Sequence, residues 1–273
     1  MQQRLGQHFL KDKKVLARIA ASLEMESGDV VFEIGPGHGE LTRELLAQAP
    51  EAKIIAIERD PELAAALKHE FAENPDLEIF RGDAVALLPK LTSELAKNTA
   101  DAAKTYKVTG NIPYYITGRL FRLLGDVKKK PARCIFTVQR EVGERAVAKN
   151  GKMNLLSASL QSWAEPKILF NIGRGAFSPP PEVDSVVILL ERKPKNLASG
   201  AYFKLIRALF KQPRKTILNN FRSGLNLQRE EAEALLIGSG ILSEQRPQDL
   251  NIEAIEALLH TLVKAGGQGK SGK

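Results

Sequence analysis

Val30-Val31-Phe32-Glu33-Ile34 runs directly into Gly35-Pro36-Gly37-His38-Gly39, and helical spacing follows from Glu40 to Ala49. The first five residues are apolar and largely β-branched, with a single acid. That is the make-up of a strand buried on both faces of a parallel sheet. The glycines that follow let backbone pass where any Cβ would collide. A strand, a glycine-rich turn and a helix, in that order, open the nucleotide-binding half of a Rossmann-like α/β fold. A plain tight turn between strand and helix is the other reading, so the surrounding residues must decide.

The spacing is Gly-x-Gly-x-Gly, whereas the dinucleotide fingerprint is Gly-x-Gly-x-x-Gly. With no pyrophosphate to cradle, the shorter form suits S-adenosylmethionine better than NAD. Lys53-Ile54-Ile55-Ala56-Ile57 reads as a second strand ended by Glu58, an acid placed to accept both hydroxyls of a ribose. Leu77 to Phe80 reads as a third strand, followed by Arg81-Gly82-Asp83-Ala84. Asp83 there can accept the amino group of a cofactor adenine, or simply cap the helical stretch Ala84 to Leu88.

A fourth strand, Tyr106 to Gly110, leads into Asn111-Ile112-Pro113-Tyr114. The exocyclic N6 of adenine is a poor nucleophile because its lone pair is delocalised into the ring. The Asn111 side-chain oxygen and the backbone carbonyl of Ile112 can each accept one N6–H, which favours a tetrahedral, more nucleophilic nitrogen. Pro113 stiffens the turn, and Tyr114 offers a face on which a purine can stack. Taken alone, the four residues also make an ordinary turn.

Taken together, these segments resemble the small-subunit ribosomal RNA adenine dimethyltransferase family, whose relatives include the erythromycin-resistance RNA methylases. The resemblance rests on Leu5-Gly6-Gln7-His8-Phe9-Leu10, Glu33 to Thr42, Glu58, Gly82-Asp83, Asn111 to Tyr114, and Phe177-Ser178-Pro179-Pro180-Pro181-Glu182-Val183-Asp184-Ser185. They occur in the family's order across most of the first 190 residues. The resemblance implies that His8, Leu10, Gly35, Gly37, Glu58, Asp83 and Asn111 hold S-adenosylmethionine, and that Tyr114 and Phe177 clamp the target adenine. It implies as substrate two adjacent adenosines in the 3′-terminal stem-loop of small-subunit (16S) rRNA, each methylated twice, in a 30S precursor. Two departures stand out. His8 replaces an Asn common in the family, and Leu91 to Thr105 is longer than the usual link between third and fourth strands. On residue chemistry alone Phe177 is a core aromatic as readily as a clamp.

Charge is distributed unevenly. Nine Lys or Arg residues (Arg192, Lys193, Lys195, Lys204, Arg207, Lys211, Arg214, Lys215, Arg222) fall between 192 and 222 without one Asp or Glu, while the whole chain carries +8. The remainder therefore sums to −1, and the basicity belongs to one segment. Such a segment suits a phosphate backbone, with Lys204, Arg207, Lys211, Arg214, Lys215 and Arg222 as the candidate RNA contacts; a solvated helix face balanced by acids elsewhere is the alternative.

The pattern predicts a Rossmann-like methyltransferase domain over 1–195, a helical RNA-binding domain over 196–265 and a mobile tail over 266–273. Lys167 to Ile172 and Ser185 to Glu191 read as a hairpin arm across the sheet edge. One cysteine, Cys134, excludes an internal disulfide and fits a reducing compartment. The four histidines show no metal-ligand spacing, so no metal is expected. No run approaches the ~20 apolar residues of a membrane span, and the N-terminus lacks signal-peptide order, so a cytoplasmic monomer is expected. Four alternatives remain at this stage. They are a large-subunit rRNA methylase conferring macrolide resistance, an adenine DNA methyltransferase, a non-catalytic ribosome-assembly or transcription factor, and an NAD oxidoreductase, the last disfavoured by the glycine spacing.

Overall fold

A computed structural model describes residues 8–49, 51–98, 105–113 and 116–268. They divide between two compact units, one drawn from Met1–Glu144 with Glu165–Arg192, the other from Arg145–Ala164 with Lys193–Lys273.

In the first unit, β1 (Phe9–Leu10) and α1 (Lys13–Ser22) precede β2 (Val30–Ile34), α2 (Glu40–Gln48), β3 (Lys53–Glu58), α3 (Pro61–Glu70), β4 (Leu77–Arg81) and α4 (Ala84–Asn98). There follow β5 (Tyr106–Asn111), α5 (Thr117–Asp126), β6 (Arg133–Gln139), α6 (Arg140–Ala146), β7 (Ala164–Ile172), β8 (Phe177–Ser178) and β9 (Ser185–Arg192). Seven strands form one sheet in the order β4-β3-β2-β5-β6-β9-β7. The pairs from β4 to β6 are parallel, and β9 runs antiparallel to β6. Strand β2 is buried along its whole length, as expected of a run flanked by neighbours on both edges and helices on both faces.

The chain steps outward from β2 to β3 and β4, then returns to lay β5 on the other side of β2. That reversal opens a crevice at the carboxyl ends of β2 and β5, where doubly wound sheets bind ligands. Closeness of these strand ends depends on Gly110, since a Cβ there would lie 2.3 Å from the Ile34 carbonyl oxygen. Gly110→Ala is accordingly expected to destabilise the fold by about 3 kcal/mol, read as a lower denaturation midpoint, because backbone cannot yield as a side chain would.

Three expectations need correction here. Leu91 to Asn98 continues α4 through Pro89 and is not loop; residues 99–104 lie outside the described part. A proline six residues into the helix reads as a stop, since it removes an amide donor and crowds the carbonyl one turn back, yet the helix runs through it. Strands β7 and β9 are no arm over the edge: β9 is inserted between β6 and β7, and its five apolar residues are all buried, which a solvent-facing arm would not allow. Residues 145–164, expected within the first domain, belong to the second unit.

That second unit comprises α7 (Leu155–Gln161), α8 (Gly200–Leu209), α9 (Ile217–Leu225), α10 (Arg229–Ile237) and α11 (Ile252–Gln268). Its core gathers Ala158 with Tyr202, Leu205, Ile206, Phe221, Leu236, Ile255 and Leu258. The Tyr202 hydroxyl donates to the Ala158 carbonyl at 2.8 Å, binding α7 to the helices that follow in sequence only after residue 193. Asn154 caps α7 by accepting from the Leu156 and Ser157 amides. Helix α11 continues to Gln268, into the stretch read as a tail, and residues 269–273 lie outside the described part.

Candidate active site

Four predicted site residues stand at the carboxyl ends of successive parallel strands. Gly35 follows β2, Glu58 closes β3, Asp83 follows β4 and Asn111 closes β5. Adjacent registers hold them in line, with Glu58 opposite Arg81 and the Gly82 amide donating to the Glu58 carbonyl at 2.8 Å.

A cleft above β2 and β5 is lined by Phe9, Leu10, Glu33, Gly35, Pro36, Gly37, Glu40 and Asn111, with Thr137 from β6. Leu10, Gly35, Gly37 and Asn111 are thereby brought together as the sequence implied. Gly37 has a φ of +61°, and a Cβ there would lie 3.0 Å from the Phe9 ring, so glycine is required for both backbone and space. Phe9 also leans on the His38 ring, with centroids 4.4 Å apart, and Lys11 pairs with Glu40. These contacts seat the N-terminal segment beside the glycine turn.

Glu58 is 4 % exposed, and its carboxylate accepts from the Gly37 amide at 3.1 Å and the Asp60 amide at 2.8 Å. Burial pushes its pKa up, against the pull of those amides. A carboxylate fixed by backbone on one side and adjoining the glycine turn on the other suits a nucleoside diol. A Cβ on Gly35 would meet no atom within 4 Å, so this part of the turn is open to a ligand. Asp83 does cap α4, its Oδ1 accepting from the Val85 amide at 2.8 Å. The cap occupies one carboxylate oxygen and leaves the other for a base amino group. Donor set and open turn both fit the nucleoside portion of S-adenosylmethionine.

Asn111 is oriented from far along the chain. Its Nδ2 donates to the His8 carbonyl at 2.8 Å, across 103 residues. His8 is itself placed by Nδ1 against the Pro179 carbonyl at 2.9 Å, and β1 pairs antiparallel with β8. With Nδ2 committed, the carboxamide cannot flip without losing that bond. Among the described residues its Oδ1 takes no hydrogen bond, and Asn111 lines the cleft. Ile112 is buried, anchored by its amide to the Thr137 carbonyl at 3.2 Å, and the Pro113 carbonyl accepts from the Ile116 amide. Tyr114 lies outside the described residues.

Phe177 is only 5 % exposed and belongs to a core cluster with Leu10, Leu16, Ile19 and Ile135. In this arrangement the ring serves packing beneath α1, and a clamping role requires it to emerge.

Glu33 joins the site without a motif in the sequence to mark it. It is 1 % exposed, lines the cleft and accepts from Thr42 Oγ1 at 2.7 Å. A lone acid inside an apolar strand was the available signal. Burial, reinforced by the nearby Glu58 and Glu40, lifts its pKa from 4.5 to about 8. Between those values the folded chain retains a proton that the unfolded chain releases. Stability is thus greatest below the interval and falls as pH rises through it, at up to about 1.4 kcal/mol per unit. Glu33→Gln keeps an acceptor for Thr42, and its unfolding midpoint is expected to change far less than wild type between about pH 5 and 8.

The structure separates the nine basic residues of the 192–222 segment. Arg192 donates to the Lys130 carbonyl, Lys193 to the Gln161 carbonyl, and Lys195 pairs with Glu256. Lys204, Arg207, Lys211, Arg214, Lys215 and Arg222 are all exposed and form no ion pair among the described residues. No metal-binding cluster and no membrane-length apolar helix occur among those residues either.

Comparison with known proteins agrees with this geometry. Ribosomal RNA small subunit methyltransferase A of Dehalococcoides mccartyi is 37 % identical over 253 residues, covering 91 % of this chain and 84 % of that protein. A dimethyladenosine transferase from Plasmodium falciparum superposes with a TM-score of 0.75 at 25 % identity, over 95 % of this chain and 98 % of that one. The 23S rRNA methyltransferase ErmE gives 0.69, also at 25 % identity, over 93 % and 99 %. The family model described as ribosomal RNA adenine dimethylase matches residues 1–263. This chain therefore belongs to the ribosomal RNA adenine dimethylase family.

Proposed function

We propose that this protein is a methyltransferase that uses S-adenosylmethionine to dimethylate N6 of two adjacent adenosines near the 3′ end of small-subunit rRNA. The observation that carries the reading is the Asn111 carboxamide, tied by Nδ2 to His8 and lining the crevice between β2 and β5. S-adenosylmethionine supplies, when bound, an electrophilic methyl on a sulfonium that leaves as a neutral thioether. The residues of this chain prepare the nucleophile. Asn111 Oδ1 and the Ile112 carbonyl accept the two N6–H groups and stabilise the positive charge that develops on nitrogen. No strong general base is needed, since the surplus proton becomes acidic only after transfer and can pass to water. Glu58 and Asp83 hold the nucleoside end of the cofactor, which fixes where the methyl lies. The adenine must leave its stack or come from a loop to reach this point.

The small-subunit substrate is favoured over the large-subunit one by sequence. The relative at 37 % identity carries the small-subunit name, while the 23S methyltransferase stands at 25 %. Six exposed basic side chains on the second unit, without an ion pair among the described residues, supply the affinity for the phosphate backbone. The working form we infer is a single chain acting on a 30S precursor in the cytoplasm. The test is transfer of labelled methyl to small subunits lacking the modification, with primer extension to locate it. Label on two adjacent adenosines of 16S rRNA is expected; label on 23S rRNA alone, or none, overturns the reading.

A further inference from the structure

Lys211-Gln212-Pro213-Arg214-Lys215 joins α8 to α9 and exposes three cations within five residues. Like charges so crowded repel one another, and a free loop would splay them. This loop is held instead from below by one side chain. Asn220, on α9, is 1 % exposed. Its Oδ1 accepts from the Gln212 amide at 2.8 Å, while Nδ2 lies 2.9 Å from the Gln212 carbonyl. The same Nδ2 is 3.2 Å from the Lys215 carbonyl and 3.1 Å from that of Thr216. A carboxamide that matches both the N–H and the C=O of one residue imitates a paired strand, and it closes the loop at both ends.

The surrounding geometry completes the frame. The Lys215 amide donates to the Gln212 carbonyl at 2.9 Å, and Pro213 removes one backbone torsion. Thr216 caps α9 by accepting from the Asn219 amide. A Cβ on Gly224 would come 2.4 Å from the Ala208 Cβ, so the helices on either side of the loop meet closely. Leu, Ile or Val would suit position 220 by burial alone. An amide there, with every polar atom used, indicates that the loop's shape matters.

We propose that Asn220 is a positioning residue for RNA: it presets the 211–215 loop so that Lys211, Arg214 and Lys215 meet the phosphate backbone without paying for their own ordering. The proposal rests on the RNA contact assigned above to the basic segment.

The experiment is a cycle of four proteins binding small-subunit rRNA across a salt series. They are wild type, Asn220→Ala, the triple Lys211→Ala/Arg214→Ala/Lys215→Ala, and the combination. In the wild-type background Asn220→Ala is expected to weaken binding about tenfold and to lower the salt slope by about 1. Trypsin should cut the loop of native Asn220→Ala faster. In the triple background the same change should do nothing further, and cofactor affinity should be unaltered throughout. Asn220→Asp, which keeps the acceptor for Gln212 but gives up the three carbonyl contacts, serves if the alanine variant fails to fold, and the same pattern is expected of it. If the triple binds weakly while Asn220→Ala binds as wild type, or if Asn220→Ala weakens both backgrounds by one factor, the proposal is overturned alone. If the triple binds as wild type, the RNA contact of the segment is wrong and the proposal falls with it.

Discussion

Asn111→Ala is expected to lower methyl transfer by about 10²–10³-fold, with rRNA still bound, because the lost acceptor acts mainly on charge that develops in the transition state. The side chain is fixed before substrate arrives: β5 is paired on both edges, and Nδ2 is spent on the His8 carbonyl. Its oxygen thus needs no reorganisation at the moment of reaction. Asn111→Asp separates the two parts of the role. It keeps an oxygen for N6–H but sets a carboxylate against the His8 carbonyl, and an intermediate loss is expected. Single-turnover transfer to unmethylated subunits, beside equilibrium binding of each ligand, measures both variants. If Asn111→Ala transfers within about threefold of wild type, the carboxamide is not the group that prepares the nitrogen.

Glu58→Ala is expected to weaken S-adenosylmethionine binding by more than about 100-fold, since hydrogen bonds to a charged acceptor contribute roughly 1.5–3 kcal/mol each and two ribose hydroxyls are at stake. Because burial raises its pKa, the carboxylate gives up its proton at a higher pH than an exposed Glu does. Binding should therefore strengthen as pH rises through that raised value, and Glu58→Ala should abolish the dependence. Titration calorimetry at several pH values reads both effects. The Gly37 and Asp60 amides lose an acceptor as well. A parallel melting curve therefore separates instability from lost ligand contacts.

Much of the site was legible because its parts are local. Strand, glycine turn and helix occupy twenty consecutive residues, and each acid follows the last apolar residue of its own strand, so spacing alone put Gly35, Glu58, Asp83 and Asn111 at strand ends. The parts that escaped depend on partners remote in sequence. Phe177 reads equally as core or clamp until β8 pairs with β1 and packs the ring into the cluster with α1. Residues 145–164 read as a continuation of the α/β pattern, but Tyr202 and its neighbours bind α7 to the later helices. Glu33 was read merely as part of a strand, and only burial beside two other carboxylates gives it a proton near neutrality.

By itself the sequence determined the parallel α/β order, the acids that end its strands, and a basic segment set apart from a nearly neutral remainder. These follow from side-chain period and short-range turn chemistry, which neighbouring residues settle among themselves. Tertiary structure alone decided that the His8 carbonyl orients Asn111, that three of nine cations are spent within the protein, and that one buried amide braces the 211–215 loop. Hydrogen-bond partners and burial are properties of the folded chain, fixed by which distant segments exclude water together.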